Sequence, residues 1–429
     1  MELETRLRST AMRALSSAGF AELLRRRARL GAWLKREAPV VHYFHQADDP
    51  YSLRAVQKLN ALREAYRLPF RVHLTSQAGP EYQGNSERFA PWALRDAESI
   101  AAGYGVRFPE HSQLPEADAV TAANAVLAEV LEDADFATAA THVGMRLFAG
   151  EHPRATTQTG SASRALAAGD ALQAKLGHYQ GAMFYFEGEW FWGLDRIRLL
   201  ETQLQARGHA VDRGLSVVPE PVPTSPGTKA ADSVRLEYFP SLRSPYTAIG
   251  HDRVLTMIER TGVAVTLRPV MPMLMRGVPA PAAKQRYIIT DAAREGRVHG
   301  SPLGRVVDPF GDPVRRAFAL FPAALKLSRG MEFVTAYLQG AWVDGVDIGT
   351  EAGLQQVAAA AGLDWETLQD ARTGTDWEAD LEENLQAMLG AGLWGVPSFR
   401  VSGGSRSDSF SCWGQDRIWR VEDEIAQRS

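Results

Sequence analysis

Three short segments in the second half of the chain carry residue types that could hold and activate a thiol. In the first, Ser244 and Pro245 stand where a strand-like run gives way to a helix-like one. Proline favours the first helical position, and a hydroxyl just before it lies among unpaired backbone N–H groups at the positive end of the helix dipole. That setting stabilises an anion such as a thiolate. The same serine could also be a helix N-cap without chemistry.

The other two segments lie near the C-terminal end. Val396-Pro397 begins a strand-like run, and Gln415-Asp416 opens the final helix-like run. A proline at the start of a strand marks an edge strand, or it belongs to a backbone that pairs with a peptide ligand. A carboxylate and an amide at a helix start can bind charged groups of a ligand, or they can simply suit the first helical turn.

The elements that must position these residues form a recognisable series. Residues 234–239 alternate like a half-buried strand, and residues 263–267 form a second strand after a helix-like stretch. Such a β-α-β unit predicts parallel strands. From about Pro279 to Gly392 the pattern is helical, and a hairpin and a helix close the series. The sequence therefore predicts an α/β domain with a helical insertion.

The same series occurs twice. Asp49-Pro50-Tyr51 matches Ser244-Pro245-Tyr246 at a sequence offset of 195, and Asp96 and Asp291 keep that offset. Near the end of each copy, Asp195-Arg196 matches Asp416-Arg417 at a larger offset of 221, so the second copy is the longer one. A period of this length is far too long for a solenoid and indicates two whole domains in tandem.

The motifs around Ser244, Pro397 and Asp416 resemble those of kappa-class glutathione transferases and 2-hydroxychromene-2-carboxylate isomerases, which have a DsbA-like thioredoxin fold. The resemblance implies an α/β protein with two tandem thioredoxin-like domains, each with a helical insertion. It also implies that glutathione is the cofactor and that Ser244, as the catalytic residue, hydrogen-bonds its thiolate. Val396 and Pro397, joined by a cis bond in such folds, would hold its cysteinyl unit, and Gln415 and Asp416 its γ-glutamyl end.

Two features depart from the pattern of this family. Val278 stands where relatives commonly have an asparagine that contacts glutathione. The basic residues Arg268 and Lys284 could replace that contact, or they could be solvated surface charges. In the first copy, Asp49 replaces the serine and Met183 replaces the proline. The first copy is therefore predicted to be a non-catalytic domain.

Cysteine and histidine placement limits the chemistry further. Cys412 is the only cysteine, so the chain cannot form an intramolecular disulfide or shuttle one by itself. Its place in the closing hairpin predicts a core or pocket role. His42 and His45 lie three residues apart on a strand and face opposite sides, which makes them poor joint metal ligands. No metal site is predicted.

Four segments are predicted. A helical extension (1–38) is followed by a degenerate thioredoxin-like domain (39–208), a proline-rich linker (209–232) and a thioredoxin-like domain with the site (233–429). The extension is basic, with four arginines between residues 25 and 29. It could bind a membrane surface or nucleic acid, or its charges could form the solvated face of helices that pack on the first domain. The net charge of −4 argues against a nucleic-acid partner.

The leading functional hypothesis is a glutathione-dependent isomerase or transferase acting on a small hydrophobic or aromatic conjugated substrate. A dithiol oxidoreductase and a DsbA-like binding or scaffold protein without redox cysteines are the alternatives. No run of 18 apolar residues suggests a membrane span, no secretory signal is apparent, and a cytoplasmic location is predicted. Because single-domain relatives tend to dimerise, the tandem is predicted to be a monomer that mimics a homodimer.

Overall fold

The computed structural model describes residues 3–152, 159–212 and 214–429, which fall into two compact units. The N-terminal unit is Glu22–Val222, and the C-terminal unit is Pro223–Ser429 together with the chain before Glu22. The chain begins with helices α1 (Leu3–Ser16) and α2 (Ala18–Leu34), which confirms the predicted helical N-terminal region. Among the described residues, no helix is both long and apolar enough to span a bilayer.

The N-terminal unit contains a four-stranded mixed sheet with a block of helices between its second and third strands. Strands β1 and β2 are parallel, β3 runs antiparallel to β1, and β4 runs antiparallel to β3, in the spatial order β2-β1-β3-β4. The elements in chain order are β1 (Val41–His45), α3 (Pro50–Val56), α4 (Leu59–Ala65), β2 (Phe70–Leu74), α5 (Pro80–Gln83), α6 (Ser86–Ile100), α7 (Ala117–Glu129), α8 (Phe136–Phe148), α9 (Thr159–Leu176), β3 (Met183–Phe186), β4 (Glu189–Trp192) and α10 (Gly193–Ala206).

The C-terminal unit has a sheet of the same order and strand directions, β6-β5-β7-β8. Its elements are β5 (Arg235–Phe239), α11 (Pro245–Thr261), β6 (Ala264–Leu267), α12 (Ala282–Val298), α13 (Asp312–Phe318), α14 (Phe321–Lys326), α15 (Gly330–Trp342), α16 (Glu351–Ala360), α17 (Trp365–Arg372), α18 (Trp377–Gly390), β7 (Ser398–Ser402), β8 (Phe410–Trp413) and α19 (Ile418–Arg428). The predicted β-α-β unit, helical insertion, hairpin and closing helix of this half are confirmed. Helix α11 makes the crossover that a parallel strand pair requires.

Two apolar clusters form the core of the C-terminal unit. One lies between the sheet and the helices α11 and α19, and the other lies within the helical insertion. Cys412 belongs to the first cluster and is only 2% exposed. Its sulfur is therefore part of the hydrophobic core beneath strand β8, as its place in the hairpin predicted.

The two N-terminal helices belong to different units. Helix α1 packs on α12, where Met12 contacts the helical core and the Arg297 guanidinium donates to the Ser16 carbonyl over 2.7 Å. The expectation that these helices pack on the first domain is therefore wrong for α1. The part of α2 from residue 22 onward lies in the N-terminal unit, where Arg25 pairs with Glu189.

The proline-rich segment is fastened by a carboxylate from the last helix of each unit. The Val217 and Val218 N–H groups donate to buried Glu201 of α10 over 2.6 and 3.0 Å. The Gly227 N–H donates to buried Glu422 of α19 over 2.8 Å. Glu201 and Glu422 have the same sequence offset that relates the ends of the two copies.

Candidate functional site

Ser244 caps the N-terminus of α11. Its backbone is extended, with φ −107° and ψ 119°, and Pro245 occupies the first turn of this 17-residue helix. The Ser244 Oγ accepts a hydrogen bond from the Thr247 N–H over 3.1 Å. The hydroxyl is therefore held at the positive end of a long helix dipole, where negative charge is stabilised.

Thr247 is a site residue that the sequence reasoning missed. It is fully buried, and its Oγ1 accepts from the Ser241 N–H over 3.4 Å, while its own N–H holds Ser244. The signal was present, because an N-cap serine receives the N–H of the residue three positions later. Thr247 thus fixes both ends of the turn that presents the Ser244 hydroxyl.

The peptide bond between Val396 and Pro397 is cis. The Ser244 Oγ lies 3.5 Å from the Val396 carbonyl oxygen, which also accepts from the Trp413 indole N–H over 3.4 Å. A side chain at Gly395 would come within 2.5 Å of that indole, so glycine is needed there. The structure therefore brings Ser244 together with Val396 and Pro397, which lie far from it in sequence.

The Val396 N–H group has no hydrogen-bond acceptor within the described part of the chain. Val396 and Ser244 are each 7% exposed. A buried backbone N–H without a partner is rare and costs free energy comparable to that of a lost hydrogen bond. The Ser244 hydroxyl and an unpaired backbone donor thus lie at the same place.

Gln415 and Asp416 form a second part of the candidate site. They begin the 3-10 turn Gln415–Arg417 that leads into α19. Gln415 is only 1% exposed, and its amide donates to the Asp416 carboxylate and, over 3.4 Å, to Glu295. A side chain at Gly250 would come within 2.8 Å of the Gln415 Cβ. Gln415 is therefore packed against α11 and orients Asp416, which is half-buried.

Two half-buried cations lie in the segment between β6 and the first turn of α12. The Arg276 guanidinium donates to the Trp394 carbonyl over 2.7 Å and to the Met271 carbonyl over 2.9 Å. Burial lowers the pKa of Arg276 to about 10 and that of Lys284, at the start of α12, to about 8. Both therefore carry positive charge at neutral pH, and Arg276, which the sequence reasoning did not single out, ties the Met271 segment to this loop.

Arg268 forms ion pairs with two glutamates. Its guanidinium pairs with Glu237 over 2.6 Å and with Glu383 over 3.2 Å, and it also donates to Asn384. These bonds join the end of β6 to β5 and α18. The structure therefore assigns Arg268 to an ion-pair network, whereas the sequence had suggested it as a substitute for a glutathione contact.

An aromatic ring contacts Arg243, the residue before Ser244. The Arg243 guanidinium forms a bidentate ion pair with the Asp308 carboxylate, with N–O distances of 2.6 and 2.7 Å. The Arg243 guanidinium also lies over the Phe310 ring, 4.7 Å from its centroid. Phe310 is 49% exposed, so the ring that Arg243 contacts is accessible to solvent.

At the matching helix start of the N-terminal unit, the polar groups are bonded to one another. Asp49 caps α3 and accepts from the Ser52 N–H and the Ser52 hydroxyl over 2.9 and 2.8 Å. The Ser52 Oγ in turn accepts from the Ala182 N–H over 2.8 Å, and Ala182 precedes Met183. Burial raises the pKa of Asp49 to about 6, although its hydrogen bonds act in the opposite direction.

The two histidines of β1 have separate partners. The His42 Nδ1 lies 2.9 Å from a ring nitrogen of His73 on β2, and the His45 Nδ1 lies 3.0 Å from the Tyr43 hydroxyl. Burial lowers the pKa of both histidines, that of His45 to about 3. His42 and His45 do not face each other, as their spacing on the strand predicted.

Comparison with known proteins places the C-terminal half in a family. Residues 235–426 match the DSBA-like thioredoxin domain, so this part of the chain is a DsbA-like thioredoxin domain. A search of curated proteins gives no match.

Several solved structures are similar to about half of the chain. A putative protein disulfide isomerase from Nitrosomonas europaea is 14% identical and covers 46% of this chain and all of its own, with a TM-score of 0.36. A 2-hydroxychromene-2-carboxylate isomerase is 18% identical over 45% of this chain and 95% of its own, with a TM-score of 0.36. The cytosolic disulfide reductase DsbM from Pseudomonas aeruginosa is 21% identical over 45% of this chain and 98% of its own, also with a TM-score of 0.36.

Proposed function

We propose that the C-terminal unit is a glutathione-dependent isomerase or transferase acting on a small hydrophobic or aromatic conjugated substrate, in the manner of a 2-hydroxychromene-2-carboxylate isomerase. One observation carries the proposal. The Ser244 hydroxyl, at the positive end of α11, lies 3.5 Å from the carbonyl of Val396, whose N–H has no acceptor among the described residues. A hydroxyl thus lies beside a strand-like backbone whose N–H can still donate a hydrogen bond to a ligand.

The residues present suit a tripeptide. The free Val396 N–H and its carbonyl can pair with the backbone of a cysteinyl unit as an added strand would. The Asp416 carboxylate can bind an ammonium group, and Gln415, which is buried and bonded to Asp416, holds that carboxylate in place. When bound, glutathione supplies a thiolate that adds reversibly to a conjugated double bond, which permits rotation about that bond.

Ser244 would stabilise the thiolate. Its Oγ already accepts from the Thr247 N–H, so its own proton is available to a second acceptor. At 3.5 Å the Val396 carbonyl is a weak acceptor for that proton, and a thiolate is a stronger one because hydrogen bonds to ionised groups are about twice as strong as neutral ones. Together with the helix dipole, this donor lowers the pKa of a thiol placed there.

The apolar residues nearby indicate the substrate class. Phe310 presents an exposed ring held under the Arg243 guanidinium. Met271 and Met275 lie in the segment that Arg276 ties to the loop before Pro397. Flexible thioether side chains adapt to varied ligands, and aromatic rings stack on one another. We infer a conjugated or aromatic substrate that contacts Phe310.

We further propose that the N-terminal unit is a degenerate second copy of the domain. The Tyr51 hydroxyl donates to Asp96 over 2.7 Å, and the Tyr246 hydroxyl donates to Asp291 over 2.8 Å. The two pairs are related by the sequence offset of the repeat. The two sheets also share one strand order. The boundaries 39–208 and 233–429, a monomeric state that mimics a homodimer, and the cytoplasmic location remain predictions.

The proposal is tested by glutathione binding and by turnover. A ligand that binds only the folded state raises its stability, so millimolar glutathione should raise the melting temperature of the C-terminal unit. Isomerisation of 2-hydroxychromene-2-carboxylate should require glutathione. If glutathione neither binds nor supports turnover, the proposal fails.

The alternative is a DsbA-like binding or scaffold protein without redox cysteines. The low exposure of Ser244 and Val396, 7% each, favours it, because a narrow site admits few substrates. Glutathione binding without turnover of any conjugated substrate would support this alternative. Because Cys412 lies in the core, insulin reduction is expected to be absent, and activity in that assay would point to an oxidoreductase instead.

A further inference from the structure

Helix α2 turns apolar side chains toward solvent. Leu23, Leu30 and Leu34 are spaced by seven and four residues and therefore share one face of the helix. They are 59%, 56% and 67% exposed, and the neighbouring Trp33 is 72% exposed. No residue from Ala18 to Leu34 is buried. Single exposed apolar residues are normal, whereas a row of them along one face marks an interaction site.

The opposite face of α2 holds the helix on its own unit through charges. Arg25 pairs with Glu189 over 2.8 Å, and Arg29 pairs with Glu187 over 3.1 Å, at the turn between β3 and β4. A side chain added at Gly188 would come within 3.4 Å of Ala28, so the helix lies directly on that turn. These ion pairs hold the helix on the turn, while Leu23, Leu30 and Leu34 stay exposed to solvent.

Positive charge surrounds the exposed leucines. Arg26 and Arg27 stand on the same side of the helix between Leu23 and Leu30, and Lys35 and Arg36 follow Leu34; all four are exposed. Burying this face against a second copy would bring the same cations together, which is unfavourable. A negatively charged surface complements them. Leucine and tryptophan on one face with arginines beside them are typical of helices that lie in a membrane interface.

We infer that α2 docks this protein on the surface of a membrane that contains anionic lipid. In the docked state Leu23, Leu30, Trp33 and Leu34 lie at the boundary between headgroups and acyl chains. The Arg26 and Arg27 side chains extend to the lipid phosphates, as long basic side chains do at interfaces. Arg25 and Arg29 stay paired with the hairpin, so the N-terminal unit sits against the bilayer.

Vesicle flotation of the full-length protein tests this inference. We expect binding to vesicles that contain about a quarter phosphatidylglycerol and little binding to phosphatidylcholine alone, because the basic residues add attraction only to anionic lipid. The double variant Leu23→Gln/Leu30→Gln should bind about tenfold less tightly or weaker. Arg27→Gln should weaken binding to anionic vesicles by a few-fold.

The matched control is Leu114→Gln/Leu215→Gln, which changes two other exposed leucines of the same unit, each 44% exposed. It should bind like the wild type, and circular dichroism should show that all variants are folded. Equal binding to neutral and anionic vesicles, no binding, or an equal loss in the control would overturn the inference. So would a dimer in solution that dissociates only in Leu23→Gln/Leu30→Gln.

Discussion

The two sheets of this protein have the same strand order, yet the helix after the first strand begins in each with a different group. In the N-terminal unit the capping residue is Asp49, whose carboxylate accepts from the N–H and the hydroxyl of Ser52. In the C-terminal unit it is Ser244, whose Oγ accepts from the Thr247 N–H and donates over 3.5 Å to the Val396 carbonyl, so its proton can be given to a stronger acceptor. The same helix start therefore presents a negative charge in one unit and a hydrogen-bond donor in the other.

The loops opposite these helix starts also differ, because the backbone N–H is hydrogen-bonded in one loop and has no acceptor among the described residues in the other. The Ala182 N–H donates to Ser52, so the N-terminal unit uses its own hydroxyl to satisfy the loop backbone. The Val396 N–H finds no acceptor in the described part of the C-terminal unit. Shared architecture thus conveys no shared chemistry: a few residues decide whether the junction of helix and loop is closed or can bind a ligand.

The largest effect is expected from Ser244→Ala. Removing one preorganised donor to a reacting anion typically lowers turnover by about a hundredfold to a thousandfold, whereas the lost N-cap lowers stability by about 1 kcal/mol. Glutathione-dependent turnover and the unfolding free energy would both be measured. The matched variant Ser52→Ala should lower the stability of the N-terminal unit and leave turnover unchanged. Equal turnover in wild type and Ser244→Ala would break the comparison.

The second effect is the pH dependence of the unfolding free energy that Asp49 gives to the N-terminal unit. Because burial raises its pKa from 3.8 to about 6, the folded state binds the proton more tightly than the unfolded state. The protonated Asp49 side chain therefore contributes to the unfolding free energy. This contribution is complete below pH 4 and is lost as the pH rises through 6, a change of about 3 kcal/mol.

The measurement is the difference in unfolding free energy between the wild type and Asp49→Asn, followed from pH 4 to pH 8 by urea denaturation. This difference should move in favour of the variant as the pH rises. His45 titrates in the opposite sense, since its pKa is lowered to about 3, but it is present in both proteins and cancels. A difference that does not vary with pH would contradict the assignment.

The third effect tests what the two units share. Tyr51→Phe and Tyr246→Phe each remove one hydrogen bond to a buried aspartate, and hydrogen bonds to charged groups contribute about 2 kcal/mol. Denaturation curves should show a loss of that size in the N-terminal unit for the first variant and in the C-terminal unit for the second. A loss confined to one variant would argue against a common origin of the two units.

The smallest effect is expected at Phe310. Its ring is exposed and stacks with Arg243, so Phe310→Ala should raise the KM for an aromatic substrate by about tenfold or less and change kcat little. Phe410→Ala, which removes a partly buried ring from the sheet core of the same unit, is the control and should lower stability without a selective change in KM. A fall in kcat alone for Phe310→Ala would assign the ring a different role.

The sequence predicted the elements of the C-terminal unit because strand alternation, proline at the helix start and helical periodicity are local signals. It also predicted that Ser244 and the loop at Pro397 belong together, through a resemblance. It missed Thr247, Arg276 and Phe310, because their importance comes from contacts between segments that are distant in sequence. For the same reason it did not predict the ion pairs of Arg268 with Glu237 and Glu383, which form only in the folded protein, and it was wrong about the position of α1.

The central claim is that the Val396 N–H, which has no acceptor among the described residues, can bind a thiol tripeptide, whereas the matching Ala182 N–H is already bonded to Ser52. Protein labelled with ¹⁵N at valine and alanine would report both amides in one glutathione titration followed by NMR. We expect the Val396 amide resonance to shift progressively with glutathione while the Ala182 resonance stays in place. A Val396 resonance that is unmoved at millimolar glutathione, or equal shifts of both amides, would contradict the account.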